Sequence, residues 1–263
     1  MPLIDTYPPG TFCWAELGTS DASAATRFYT ALFGWSAEGR PTGSVAVYTV
    51  LHSLGRSVAA LYRRDAGPHG PPHWLSYIAV TSAGAAAERA RGLGGAVLME
   101  PFDVLDVGRM AMVQDPSGAV VALWEARCHA GAGVSGEPNS ICWHELLTTD
   151  PARAQAFYGG LFDWDTHAPQ PGVERTLFSA AGAPRGGMAA IAPAWGVVQP
   201  HWLVHIGVRD CDGATALAQS LGGTVRKPPA DADGVGRRAV LADPEGAVFA
   251  VATPLPAARP VAG

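Results

Sequence analysis

Apolar and polar residues alternate in short runs along this chain, and the runs are interrupted by stretches with helical spacing. Residues 12–19 read as a strand. A helix starting near Ser23 carries Phe28-Tyr29 and Leu32-Phe33 and ends before Gly34. Strands are expected around residues 45–51 and 57–62. A second strand over 74–80 leads into an Ala-rich helix over 82–93, which Gly94-Gly95 stops as a left-handed cap would. Strands follow at 96–99, 109–114 and 120–124, the last two joined by the turn Asp115-Pro116-Ser117-Gly118. The repeating unit is β-α-β-β-β.

The same pattern then returns. Trp14-Ala15-Glu16-Leu17, Asp21, Phe28-Tyr29 and Leu32-Phe33-Gly34-Trp35 reappear 129 residues later as Trp143-His144-Glu145-Leu146, Asp150, Phe157-Tyr158 and Leu161-Phe162-Asp163-Trp164. His73-Trp74 returns as His201-Trp202, and Asp115-Pro116-Ser117-Gly118 as Asp243-Pro244-Glu245-Gly246, both shifted by 128. The chain is therefore a tandem duplication. The first copy is expected over residues 9–126 and the second over 141–253. Residues 127–140, rich in Gly and Ser, suit a flexible surface connection, and the Pro- and Ala-rich tail 254–263 is expected to be disordered.

Composition narrows the function. With 263 residues and 48% hydrophobic content, each copy is long enough for a core of its own. A net charge of −5 and a single lysine, Lys227, argue against a nucleic-acid partner. No signal-peptide pattern and no apolar run of spanning length is visible, so a cytoplasmic location with no membrane partner is expected. Cys13, Cys128, Cys142 and Cys211 form no Cys-x-x-Cys pair and read as free thiols. There is no P-loop and no dinucleotide fingerprint. Ser117 lacks a nucleophile-elbow context, and no cofactor is expected.

The strand-Asp-helix-Phe-Tyr-x-x-x-Phe-Gly-Trp opening and the closing Asp-Pro-x-Gly turn resemble the vicinal oxygen chelate superfamily of glyoxalases, extradiol dioxygenases and bleomycin-resistance proteins. The Trp-x-Glu-Leu and His-Trp repeats are similar to a tandem actinomycete subfamily described as glyoxalase-like or hydroxylase-like, some of whose members accompany aromatic polyketide pathways. The resemblance implies an α+β chain of four βαβββ modules forming two tandem domains with curled mixed sheets, each able to enclose a ligand. It also implies a place for metal ligands. Those positions here hold Trp14, Leu75 and Ala122, and in the second copy Trp143, Leu203 and Ala250. None has a lone pair suited to a divalent metal, so no metal is expected.

Strand alternation puts Glu16 on the face of Trp14, and Glu145 on that of Trp143. His73, Leu75 and Tyr77 share one face, as do His201, Leu203 and His205. Glu16, Glu145 and His205 are the candidate catalytic residues. The two carboxylates can equally be structural acceptors, and a displaced metal site at Glu145, His205 and His201 is a further alternative. Trp14, Trp143, Leu75, Leu203, Tyr77, Ala122, Ala250 and Trp124 are the candidate ligand-binding wall, with Trp195 a weaker member. His144 faces away from Glu145, toward core or interface. Trp35 and Trp164 read as core, and Arg109 and Arg237 as solvated or interface cations.

The expected function is metal-independent binding of a small apolar, aromatic or polyketide-like metabolite, for sequestration, resistance or a pathway-accessory role. A pathway enzyme is a candidate partner, and the expected state is a monomer or weak dimer. The alternative is a metal-free isomerase, cyclase or hydroxylase-like enzyme of secondary metabolism, with Glu16 or Glu145 as base and His205 as acid or base. A metal-dependent glyoxalase or dioxygenase stands third.

Overall fold

The computed structural model describes residues 4–42, 46–64, 71–167, 175–232 and 236–254. The first copy runs β1 (Phe12–Thr19), α1 (Ala22–Phe33), β2 (Ser36–Thr42), β3 (Ala46–Ser53), β4 (Arg56–Arg63), β5 (His73–Ala79), α2 (Ala83–Gly92), β6 (Ala96–Val104), β7 (Gly108–Gln114) and β8 (Val120–Ala126). The second repeats it as β9 (Ile141–Thr148), α3 (Pro151–Phe162), β10 (Asp165–His167), β11 (Thr176–Ala180), β12 (Ala183–Ala190), β13 (His201–Gly207), α4 (Cys211–Ser220), β14 (Thr224–Ala232), β15 (Gly236–Ala242) and β16 (Val248–Pro254). The edge strand β2 has no counterpart among the expected strands. Its sequence, Ser-Ala-Glu-Gly-Arg-Pro-Thr, has no apolar alternation to betray it. The tail from residue 255 lies outside the described residues.

Each copy forms one eight-stranded mixed sheet, ordered β2-β3-β4-β1-β5-β8-β7-β6 and β10-β11-β12-β9-β13-β16-β15-β14. The central antiparallel pair, β1 with β5, sets Glu16 opposite Leu75, and Trp14 opposite Tyr77. On its other side β1 runs parallel to β4, placing Glu16 beside Ala60. The helices begin on side-chain caps. Asp21, Ser82, Asp150 and Asp210 each accept from a backbone N–H three residues on, which satisfies a donor the first turn leaves unpaired.

The convex faces of the two sheets pack back to back, and both major cores are shared between copies. One joins Tyr29, Trp35 and Leu61 to Val204, Ile206 and Phe249. The other joins Ile78, Val113 and Leu123 to Tyr158, Trp164 and Trp202. The duplicated motifs meet across this interface. The Asp243 carboxyl closes its own turn by accepting from the amides of Glu245 and Ala247, and its second oxygen accepts from Tyr29 Oη of the other copy at 3.1 Å. Trp74 in turn donates to Tyr29 at 3.0 Å. Glu245 of the same turn accepts from Thr19, Ser20 and the Asp21 amide at the start of α1. His144 also belongs to this interface. Its ring stacks on Phe12 with centroids 4.0 Å apart, and Nδ1 sits 2.8 Å from Ser76 Oγ. Burial, then the charge of His205, pushes its pKa down to about 3.

The connection 127–140 is not the flexible link its composition suggests. Ala132 is buried and its amide donates to Cys13 O, while Gly133 N donates to Ser57 O. Gly131 has φ +140°, and a Cβ there would lie 2.3 Å from Cys13 O. Its glycines permit close approach to the sheet rather than freedom. Trp35 and Trp164 are core residues whose indoles donate to Asn139 O and Gly10 O. Arg109 pairs with Asp103, and Arg237 with Asp212 and Asp231, all at the surface. No described helix is long and apolar enough to cross a membrane.

Candidate functional site

The concave face of the first sheet encloses a cavity of about 1450 Å³, part of it a shallow extension toward the first turn of α1. The space between the strands is walled by Trp14, Leu75, Met110, Met112, Trp124 and Phe102. Each arrives by strand alternation, because the opposite-facing residues Ala15, Leu17, Ala111 and Leu123 are the ones that fill the shared cores. The pinned connection contributes His129, whose ring meets Trp14 edge-on at 4.7 Å and Trp124 at 6.0 Å. Trp124 donates to the His129 carbonyl at 2.8 Å, which fixes the indole plane in the wall.

One carboxyl group stands in this apolar surface. Glu16 accepts from Tyr48 Oη at 2.5 Å and Trp14 Nε1 at 3.2 Å on one oxygen, and from Tyr77 Oη at 2.6 Å on the other. No ion pair reaches it among the described residues. Burial therefore dominates and raises its pKa, against the lowering effect of the three donors. Tyr48 and Tyr77 are pushed well above their ordinary value by burial and by Glu16. The result is a hydrogen-bonded cluster around Glu16 at the polar end of an aromatic cavity. Ala122 is fully buried and forms no part of the cavity lining, so its contribution is to leave room rather than to touch a ligand.

The second copy keeps the carboxylate and changes everything around it. Glu145 is buried, with Arg175 Nε 2.5 Å from Oε1 and Arg238 Nη1 3.0 Å from Oε2. His205 Nε2 lies 3.6 Å from Oε2, beyond hydrogen-bond distance. Burial alone would raise the Glu145 pKa. His205, Arg238 and Lys227 overturn that and hold it below the ordinary carboxylate value. Lys227 Nζ sits 3.0 Å above the centre of the Trp195 ring. Trp143 is half-buried and packs over Gly187, whose added Cβ would meet its Nε1 at 3.1 Å. Leu203 and Ala250 form a small apolar floor with Leu147.

The strand registers show which residues replaced which. Thr49 faces Leu61 as Thr176 faces Met188, so Arg175 stands where Tyr48 does. Met110 faces Trp124 as Arg238 faces Ala252, and Met99 faces Met112 as Lys227 faces Val240. Tyr77 faces Ala122 as His205 faces Ala250. Sequence reasoning named Trp14, Glu16, Leu75, Tyr77, Trp124, Glu145 and His205, and the structure brings each set together in its own copy. It missed Tyr48, Met110, Phe102 and His129 in the first copy, and Arg175, Arg238 and Lys227 in the second. For Tyr48, Met110, Phe102, Arg238 and Lys227 the signal was alternation within β3, β6 and β7 and the counterparts β14 and β15, whereas His129 and Arg175 lie outside the strands. His73 and His201 sit at strand-opening turns, their Nδ1 atoms 3.0 and 2.8 Å from Pro71 O and Gln199 O.

Neither concave face suits a divalent metal. In the first, both Glu16 oxygens are taken by O–H and N–H donors, and Trp14, Leu75 and Ala122 offer no ligand. In the second, two guanidinium groups already neutralise the carboxylate and would repel a cation. Among the described residues no three His, Cys, Asp or Glu side chains are grouped to hold one.

Comparison with known proteins agrees with this architecture. Residues 11–123 match the model of the Glyoxalase/Bleomycin resistance protein/Dioxygenase superfamily, and residues 141–252 match that of the Glyoxalase-like domain. The chain is 41% identical to the glyoxylase-named protein CFP32 of Mycobacterium tuberculosis (strain CDC 1551 / Oshkosh), over 97% of this chain and 99% of that one. It is 40% identical to the anthracycline biosynthesis protein DauV of Streptomyces sp. (strain C5), over 93% and 94%. Among solved structures, the Mn(II)-bound glyoxalase from Novosphingobium aromaticivorans superposes with a TM-score of 0.64 at 15% identity, covering 93% of this chain and 82% of that one. The 2,3-dioxygenase LapB from Pseudomonas sp. KL28 gives 0.63 at 13%, covering 95% and 96%. At those identities the likeness is one of fold.

Proposed function

The chain belongs to the glyoxalase/bleomycin resistance/dioxygenase superfamily, and from that premise we propose that its first concave face binds a planar, largely apolar small molecule of the aromatic polyketide kind without a metal, as an accessory of secondary metabolism. The observation that carries this is the cavity itself. Its walls are Trp14, Trp124, Phe102, Met110 and Leu75, and its one carboxyl is held by neutral donors. Drug-sized pockets run to roughly 300–1,000 Å³, so even part of a 1450 Å³ cavity accepts a polycyclic ring system. Flat indole and phenyl surfaces favour a flat ligand, and the Glu16–Tyr48–Tyr77 cluster offers hydroxyl or carbonyl edges a partner. The likeness to DauV, named for anthracycline biosynthesis, supports the same ligand class.

One observation favours a catalytic variant of this reading. A carboxyl with a raised pKa, in contact with two tyrosines inside a pocket, is a general acid-base candidate for an isomerisation or cyclisation. Both readings meet in one experiment, a titration of intrinsic tryptophan fluorescence with a panel of anthracyclines, followed by mass and chromatographic analysis of the recovered ligand. Saturable quenching with unchanged ligand supports binding. Quenching with an isomer or altered mass makes the protein an enzyme and places Glu16 at the reaction. Absence of quenching across the panel overturns the aromatic-ligand reading. Phe102→Ala, at an exposed position of the cavity wall, is expected to weaken binding several-fold.

A further inference from the structure

The concave face of the second copy has lost the aromatic lining of the first and gained positive charge. At equivalent register positions, Tyr48, Met110 and Met99 become Arg175, Arg238 and Lys227, while Trp124 becomes Ala252. Register also puts Ala189 where Tyr62 stands, and Ala230 where Phe102 stands. Large side chains were thus exchanged for small ones while three cations converged on one carboxylate.

A single Glu145 needs at most one of those charges. Arg175 and Arg238 both donate to Oε2, Arg175 Nε also lies against Oε1, and Lys227 rests on the Trp195 ring without a carboxylate of its own within ion-pair distance among the described residues. Arg238 keeps 26% of its side chain exposed, so part of the guanidinium still faces outward. Beside them His205, 1% exposed, has no hydrogen bond at either ring nitrogen. A buried imidazole without partners costs free energy unless something not in the chain satisfies it. Leu147, Leu203 and Ala250, flanked by Trp195, supply an apolar wall next to this polar group.

We propose that the second concave face is a separate site for a small organic acid. Its carboxylate is received by Arg238, Lys227 and His205, and its apolar body lies against Leu147 and Trp195. A planar carboxylate matches the guanidinium fork, and its charge offsets the surplus that Glu145 leaves. The site does not depend on the ligand of the first copy. The two faces would select different molecules, one by flat apolar contact and the other by charge.

The test uses the full chain and two probes of equal shape, 2-naphthoate and 2-naphthamide, in isothermal titration. Naphthoate is expected to bind at least about tenfold more tightly than the amide. Lys227→Gln, a half-buried strand position that leaves the Glu145 pairs intact, should remove most of that difference. Arg109→Gln, at the surface of the other copy where the residue pairs with Asp103, should leave it unchanged. Side-chain ¹⁵N spectra should show the His205 ring shifting with naphthoate and not with naphthamide. Equal affinity for acid and amide overturns the proposal. So does a preference for the acid that survives Lys227→Gln undiminished.

Discussion

The same substitution at two duplicated positions should have unequal consequences, and the difference follows from what touches each carboxyl. Glutamine replaces the carboxylate by a neutral amide of nearly the same shape. At Glu145 this strips the charge on which Arg175 and Arg238 converge, 10% and 26% exposed, and leaves two poorly hydrated guanidinium groups facing each other. Breaking a buried ion pair by removing one partner costs about 3–5 kcal/mol, and partial exposure of Arg238 places this case at about 3. For a chain of this size about 3 kcal/mol corresponds to a melting shift of roughly 6–12 °C. At Glu16 the three donors are neutral, and burial raises the carboxyl pKa. Glu16→Gln strands no ion-pair partner, and about 1 kcal/mol or less should be lost near neutral pH.

The pH dependences should run in opposite directions. The Glu16 pKa is raised on folding, so the folded state holds the proton more tightly. Its contribution is fully present below the ordinary glutamate value and is lost as pH climbs from that value through the raised one. The Glu145 pKa is lowered, so its contribution is present above the ordinary value and is lost as pH falls through the lowered one. Thermal unfolding followed by near-ultraviolet circular dichroism, from about pH 2.5 to about pH 9, measures both. Glu16→Gln should flatten the alkaline side of the stability profile, and Glu145→Gln the acid side. Equal destabilisation of the two variants at pH 7, or identical pH profiles, would refute the assignment of one carboxyl held by neutral donors and one held by ion pairs.

Tyr29→Phe should cost about 1–3 kcal/mol, because Asp243 loses a donor from the other copy and the Trp74 indole loses its acceptor. Tyr158→Phe should cost less in the same denaturant titration. Trp202 loses its acceptor there, but the second oxygen of Asp115 is already without a hydrogen bond. Gly131→Ala should destabilise by at least about 2 kcal/mol, since it forces a side chain against the Cys13 carbonyl in a left-handed region; a neutral result would mean the connection is loose after all. Residues 1–126 and 127–263 produced separately should each bind a hydrophobic dye and lack sharp side-chain NMR signals, then recover native spectra on mixing, because each shared core is half supplied by the other copy.

What the sequence disclosed and what it hid separate along the two faces of each sheet. The convex side was legible because its residues repeat. Phe28-Tyr29 and Phe157-Tyr158, Trp74 and Trp202, and the two Asp-Pro-x-Gly turns sit at fixed spacing and take part in the interlocking cores. The faces of Glu16 and Glu145 were also readable, since strand alternation needs only a period of two. The partners of those carboxyls were not. Tyr48 is 32 residues from Glu16, and Arg238 is 93 from Glu145. Both lie across strand pairings whose register no local pattern states. The connection misled because Gly and Ser in 127–140 have two uses, freedom in a linker and close approach against a strand, and composition does not distinguish them.

Why the two concave faces diverged while the convex faces did not follows from this division. A change at Tyr29 or Asp243 damages a core that both copies need, so such positions are held by packing whatever the protein binds. A change at Met110 or Tyr48 touches only the lumen of its own sheet. In the duplicated chain the lumen of one copy carries Arg175, Arg238 and Lys227 while that of the other keeps an aromatic wall. Glu16 and Glu145 show how far that freedom reaches. One residue, kept at one register position of the central strand, is a hydrogen-bond acceptor among tyrosines in the first copy and an ion-pair partner of arginines in the second. Retention of the carboxyl in both copies therefore does not indicate retention of one chemistry, and the two faces are best tested with different probes.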